Sequence, residues 1–186
     1  MEIVLRCLMA DRPGALASLA GAVGKAGGDI QSVEVLEHDD GQVLDDLVVA
    51  IDPLDLRALV TRLQTMEGVE LVHAGPSRGD PGDAVTRLAI VFEALLDGSM
   101  LPERALTTLV GGLLRASSAE VVATAQAPRS GRRTLVVPVD GGALVVRRDY
   151  PFTRAEQQRA TTITRACARA TAGKRSVDYW SGTSSG

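Results

Sequence analysis

Asp11-Arg12-Pro13-Gly14-Ala15-Leu16, followed after one apolar-periodic run by Gly27-Gly28-Asp29-Ile30, decides how the first part of this chain is read. Ahead of the stretch, Ile3, Leu5, Cys7 and Met9 alternate at the period of a strand. Behind it, Leu16, Leu19, Ala20, Val23 and Ala26 recur at helical spacing. A strand that enters a helix through Pro-Gly leaves the first helical N–H groups without intrahelical acceptors, at the positive end of the helix dipole. Such a turn offers a small carboxylate both donors and field. Pro13 has a φ suited to helix entry, and Gly14 lets a ligand approach the backbone closely.

The pattern occurs twice. A shift of 40 residues lays Leu56, Leu59, Val60, Leu63 and Met66 over Leu16, Leu19, Ala20, Val23 and Ala26, and brings Asp52-Pro53 near Asp11-Arg12-Pro13. The spacing predicts strands at 2–9, 29–38, 42–51 and 69–74 and helices at 14–26 and 55–66, with Asp39-Asp40-Gly41 as the hairpin turn. The order βαββαβ is ferredoxin-like, an α+β fold with both helices on one face of an antiparallel sheet. The other face is expected bare. If Ile3, Leu5, Ile30, Val49 and Leu71 face the helices, then Val4, Leu8, Val33, Val35, Val48 and Val72 face away. A patch so apolar predicts a homodimer or higher homo-oligomer.

Strand, D-R-P-G-x-L turn, amphipathic helix, G-G-D-I and a second strand carrying Val33, Val35 and Leu36 together resemble an ACT domain over residues 1–75. The resemblance implies a regulatory module that commonly binds an amino acid and pairs so that two copies share the ligand site. It implies ligand contacts at Asp11, Arg12, Gly14, Ala15 and Leu16, with Asp29, Ile30 and Gln31 contributed across a dimer interface. Amino-acid-binding members of the family often have Asn where this chain has Asp11, and a carboxylate there would face the ligand's ammonium.

Gly75-Pro76-Ser77-Arg78-Gly79-Asp80-Pro81-Gly82-Asp83 neither continues a helix nor pairs in a central strand, so 76–83 is expected to be a linker. Beyond it, Val85, Leu88, Phe92 and Leu95, and then Leu106, Leu109, Val110, Leu113 and Leu114 after Pro102, form two helical stripes. Strands are expected at 119–126, 133–139 and 143–148, the last two joined by the tight turn Asp140-Gly141-Gly142. Thr153 and Glu156 form a capping box for a closing helix bearing Ala160, Ile163, Cys167 and Ala170 on one face. Residues 84–172 resemble a GAF domain in their packed opening helices, the run Leu135-Val136-Val137-Pro138-Val139 and the closing Pro151-Phe152-Thr153-Arg154-Ala155-Glu156. The covering insertion of a complete GAF domain is missing, because only Pro128–Gly131 separates the first two strands. The expectation is therefore a reduced scaffold with a closed or absent pocket that binds no cyclic nucleotide, haem or bilin. Residues 173–186 read as a flexible tail in which Tyr179-Trp180 docks on a partner or on its own domain.

Composition narrows the function classes. Hydrophobic residues make up 45% of the 186, enough for two small cores, and no apolar run reaches the length of a membrane span. Met1-Glu2-Ile3 opens a strand with no leader-like segment, and Cys7 and Cys167 are too dispersed for a disulfide framework, so a cytoplasmic protein with reduced core thiols is expected. Residues 1–80 hold 6 Lys/Arg against 14 Asp/Glu, a balance of −8, and residues 81–186 hold 14 against 9, a balance of +5. Arg147, Arg148, Arg154, Arg159, Arg165, Arg169, Lys174 and Arg175 suggest a basic stripe. With 3% aromatic residues and an overall charge of −3, however, a nucleic-acid partner is not expected. His38 and His73 stand outside any metal-ligand spacing, Asp39-Asp40 belongs to a turn, and Asp45 and Asp46 point to opposite sheet faces. Ser130-Gly131 lacks the spacing of a phosphate-binding loop. No catalytic constellation, metal site or cofactor is expected. The sequence reads as a non-enzymatic regulatory protein that senses a small amino acid, with a structural interaction module as the alternative.

Overall fold

The computed structural model describes residues 1–77 and 84–181, with side chains over 1–77 and 85–172. The chain divides into two compact units, Met1–Ser77 and Arg78–Gly186. In the first, the order is β1 (Glu2–Ala10), α1 (Ala15–Lys25), β2 (Asp29–Asp39), β3 (Gln42–Ala50), α2 (Leu56–Gln64) and β4 (Val69–Pro76). The sheet order β2-β3-β1-β4, antiparallel throughout, is that of a ferredoxin-like fold. Leu19 and Val23 of α1 and Leu59 and Leu63 of α2 are fully buried against Ile3, Leu5, Cys7 and Met9 of β1. Helix α1 stops where the sequence turns to glycine: Gly27 takes a φ of 78°, its N–H bonds Gly24 O, and the Gly28 N–H bonds Val23 O. This is a Schellman closure. At the hairpin, Asp40 and Gly41 both have positive φ, 48° and 72°, which matches the right-handed twist of β2 and β3.

One expectation about the sheet faces fails. Val33 pairs with Leu47 and Val35 with Asp45, so both lie on the face that carries the helices. The reason is a bulge: the register shifts between Ile30 and Ser32, and the extra residue, Gln31, reverses the alternation that follows. Val33 and Val35 are 40% and 50% exposed because β2 is an edge strand. Nor is the opposite face a continuous apolar patch. Glu34 pairs with Asp46, Asp46 with Arg6 and Arg6 with His73, which sets a row of charged and polar side chains across all four strands. Within that row Arg6 donates from Nε and Nη2 to the two oxygens of Asp46 at 2.7 and 2.8 Å, and both residues are buried.

The second unit contains α3 (Ala84–Asp97), α4 (Pro102–Leu113), β5 (Ser118–Ala123), a 3-10 turn at Thr124–Gln126, β6 (Thr134–Val139), β7 (Gly142–Arg147) and α5 (Arg154–Ser181). Its sheet order is β5-β7-β6. Leu109 and Val110 of α4, Leu144 and Val146 of β7 and Ala160 and Cys167 of α5 meet in the core. Helix α5 continues past residue 172, where the sequence expectation ends the domain: one interior glycine, Gly173, costs about 1 kcal/mol, too little to stop a long helix. Tyr179 and Trp180 lie on α5, and their side chains fall outside the described residues.

Arg148 is not part of a basic stripe. It is buried, with its guanidinium between the rings of Tyr150 and Phe152, at 4.1 and 4.0 Å from their centroids. It donates to both carboxylate oxygens of Glu156 and to the carbonyls of Leu114, Tyr150 and Pro151. Glu156 also accepts from the Thr153 N–H at 2.8 Å while Thr153 Oγ1 accepts from the Glu156 N–H at 3.1 Å, which is the expected capping box. Arg147 pairs with Glu120.

Candidate functional site

The turn between β1 and α1 is held from below by one backbone bond, from the Asp11 N–H to Gly41 O at 2.8 Å, which ties it to the β2–β3 hairpin. Gly14 sits at the N-cap with a φ of 86°, a left-handed conformation that glycine adopts freely, and space is open around the position its Cβ would take. The Ala15 N–H bonds Arg12 O and the Ser18 N–H bonds Gly14 O. No side chain caps α1 and its first turn holds no acidic residue, so the N–H groups of Leu16 and Ala17 point outward without an acceptor among the described residues. Asp11, Arg12 and Gly14 are exposed, Leu16 is 40% exposed and Ala15 is half-buried. The turn thus presents unpaired donors and an accessible carboxylate on one surface.

Asp29, Ile30 and Gln31 are elsewhere in the same chain. Asp29 pairs with Ala50, whereas the turn lies at the Gln42 end of β3, eight residues away and hence ~27 Å at the rise of an extended strand. There Gln31 Nε2 donates to Asp29 Oδ2 at 2.7 Å. One protomer does not bring the two groups of residues together.

The fold places two residues beside the turn that sequence reasoning set aside. His38 Nδ1 lies 3.3 Å from Asp11 Oδ2, both side chains being more than half exposed. Asp45 is buried on the helix-facing side, opposite Cys7, and its Oδ1 has no hydrogen-bond partner among the described residues. Burial pushes the Asp45 carboxyl above the usual range, the positive potential of His38 opposes that, and Asp46 and Asp11 add to the rise. Burial, with Asp46 and Asp45 adding to it, pushes the Cys7 thiol up to about 12, so it is an inert core thiol. The alternating pattern of β3 signals that Asp45 faces inward. Nothing local signals that His38, 27 positions from Asp11, reaches it.

A second concavity contradicts the expectation of a closed second unit. A cleft of about 1100 Å³ opens between β6, the start of α4 and α5, lined by Leu106, Leu135, Val137, Thr164 and Arg165 among others. Missing insertions do not close it, because its walls are the free edge of a strand and the flank of a helix.

Among the described residues no group of three or more His, Cys, Asp or Glu side chains is placed to hold a metal ion, and no helix is long and apolar enough to cross a membrane. Both cysteines are free and buried.

No curated protein matches the chain. Among solved structures, the ACT domain of a GTP pyrophosphokinase from Chlorobium tepidum is 18% identical, covering 40% of this chain and 95% of its own, with a TM-score of 0.33. An uncharacterized protein from Thermotoga maritima is 20% identical over 40% of this chain and 94% of its own, with a TM-score of 0.34. The regulatory subunit of aspartate kinase from Thermus thermophilus is 10% identical over 92% of this chain and 91% of its own, with a TM-score of 0.37. The family model of the ACT domain matches residues 3–68, from the first residues of β1 to the turn before β4, and this segment of the chain is an ACT domain.

Proposed function

We propose that this is a non-enzymatic regulatory protein whose ACT domain binds a small amino acid at the β1–α1 turn. The observation that carries the reading is that one turn carries both the N–H groups of Leu16 and Ala17, without acceptors among the described residues, and the exposed Asp11 carboxylate. The donors suit a ligand carboxylate and Asp11 suits its ammonium. Arg12, Gly14 and Ala15 complete the contact surface. Asp29, Ile30 and Gln31 join it from a second copy of the chain, since a single protomer holds them at the far end of β3. Exposed Val33 and Val35 on the edge strand β2 support an association of two copies. The first domain spans 1–75, and the second, which runs from 84 to the end of α5, is a reduced GAF-like module that makes contacts with a copy or a partner.

The test is calorimetry and thermal melting of the full chain with each of the twenty standard amino acids. A ligand at a hundred times its dissociation constant stabilises the native state by about 2.7 kcal/mol. Asp11→Ala removes that stabilisation and leaves the unliganded protein folded. Absence of heat and of any melting shift at millimolar concentration sinks the sensor reading, and the chain is then an interaction module with an empty ACT turn.

A further inference from the structure

Helix α3 is apolar on two sides. Leu88, Val91 and Leu95 face the core of the second unit, where Val91 and Leu95 are 6% and 2% exposed. Beside them runs a second stripe, in which Val85, Ala89, Phe92 and Leu96 follow one another at intervals of four, three and four residues. That is the spacing of alternating d and a positions in a coiled-coil seam, and it sets all four side chains on one flank of the helix. Water covers most of that flank. Val85 is 70% and Leu96 54% exposed, Ala89 is exposed and Phe92 is half-buried. A continuous apolar seam left open in this way fits a surface that another helix covers.

The charges of α3 say which helix. Arg87 lies in its first turn and Asp97 is its last residue, with no acidic residue in the first turn and no basic residue in the last. Both charges stand at the end of the helix dipole that disfavours them. A second copy of α3 laid antiparallel corrects both, because the end of each helix that holds Glu93 and Asp97 then lies along the N-terminal end of the other, which holds Arg87. The same arrangement fits the side chains. Antiparallel seams pair d with a, so Val85 meets Leu96 and Ala89 meets Phe92 of the second copy, a smaller side chain against a larger one in every layer. Glu93, beside the seam, comes opposite Thr86 and not opposite another acid. A parallel pair would stack Phe92 on Phe92 and Ala89 on Ala89, an overfilled layer beside an underfilled one, and would bring like ends together.

We propose that the second unit self-associates through α3, two copies crossing antiparallel about a two-fold axis that passes between Ala89 and Phe92. The proposal rests on the reading of this chain as one that associates with a second copy, and not on the amino-acid site at the ACT turn. Cysteine cross-linking of the full chain tests it, since Cys7 and Cys167 are both buried. At submillimolar concentration Ala89→Cys cross-links to itself across the axis. Leu96→Cys alone does not, because its two copies stand at opposite ends of the seam, but it cross-links to Val85→Cys when the two proteins are mixed. Leu96→Glu raises the dissociation constant of the pair by about a hundredfold, because each substitution enters a two-fold interface twice. Val85→Glu does the same should that variant fold poorly. Self-cross-linking of Leu96→Cys as efficient as that of Ala89→Cys overturns the antiparallel seam. An oligomer that yields none of these cross-links and is unmoved by both Glu variants overturns the proposal and leaves self-association standing on another surface. A chain that stays monomeric at submillimolar concentration overturns both, and the seam then faces a protein of different sequence.

Discussion

Both compact units bury an arginine against a carboxylate, and the two pairs hold their units together in different ways. Arg6 and Asp46 stand opposite each other on β1 and β3, strands already joined over nine register pairs from Glu2–Ala50 to Ala10–Gln42. The ion pair adds to an arrangement that the backbone ladder fixes. Arg148 and Glu156 sit where no ladder exists. The five N–H donors of Arg148 reach the end of α4 at Leu114, the turn at Tyr150 and Pro151, and the start of α5 at Glu156. Three segments meet there, and one guanidinium supplies the donors that their orphan carbonyls lack.

The sharpest way to break the comparison is Arg148→Met. Glu156 is left charged and buried, three carbonyls lose their donor, and the unit is destabilised by about 3–5 kcal/mol. Urea unfolding followed by fluorescence checks this, because the only tryptophan of the chain, Trp180, belongs to the same closing helix. Arg148→Lys restores the charge without the planar fork and recovers part of the loss at most.

The paired replacements separate the two designs further. Replacing Arg6 and Asp46 together with apolar residues removes a desolvated pair along with its desolvation cost, a change that is often neutral or stabilising. The same double replacement of Arg148 and Glu156 leaves the carbonyls of Leu114, Tyr150 and Pro151 and the Thr153 N–H unpaired, each at a cost of about 1–3 kcal/mol. Expected, therefore, is near-complete recovery in the first unit and little in the second. Equal recovery in both would show that the hub adds nothing to the ion pair.

Asp45→Asn probes a buried acid of a third kind, one left without an arginine. Its folded pKa is raised, so the native state holds the proton more tightly than the unfolded chain does. The favourable contribution is complete below the ordinary carboxyl range and is lost as pH rises through the folded value. Wild type thus loses stability relative to Asp45→Asn on going from pH 4 to pH 7, as melting temperatures at the two pH values will show. A parallel dependence in both proteins would mean that Asp45 titrates normally.

The elements of the first unit were legible because strand and helix periods alternate with turn residues that permit one backbone geometry, as at Gly14 and Asp40-Gly41. The ferredoxin-like order followed from them. The facing of Val33 and Val35 was not legible, since a single inserted residue at Gln31 reverses parity without changing composition. At the candidate turn, the unpaired donors could be read from Pro13-Gly14, but the approach of His38 depends on the Asp11–Gly41 backbone bond, a long-range contact with no local trace. In the second unit, counting arginines placed Arg148 on a surface stripe, while Tyr150, Phe152 and Glu156 nearby were the signal that it is buried. The cleft escaped because pocket walls were sought in insertions, whereas a strand edge lying beside a helix makes one from regular elements.

The smallest predicted effect tests the parity reversal directly. If the bulge at Gln31 is present, Val35 stands across from Asp45 on the helix-facing side of the edge strand. Val35→Glu then sets a carboxylate opposite a carboxylate, and Val35→Lys sets an ammonium there. Cross-strand pairs of this kind shift stability by roughly 0.2–1 kcal/mol, unfavourably for like charges and favourably for opposite ones. Both variants lose the same exposed apolar surface, so their difference isolates the charge. At neutral pH Val35→Lys should melt above Val35→Glu, and Asp45→Asn should shrink the gap. Without the bulge the residue would project from the other face, the one that carries Arg6 and Asp46, and neutralising Asp45 would leave the gap between the two variants intact.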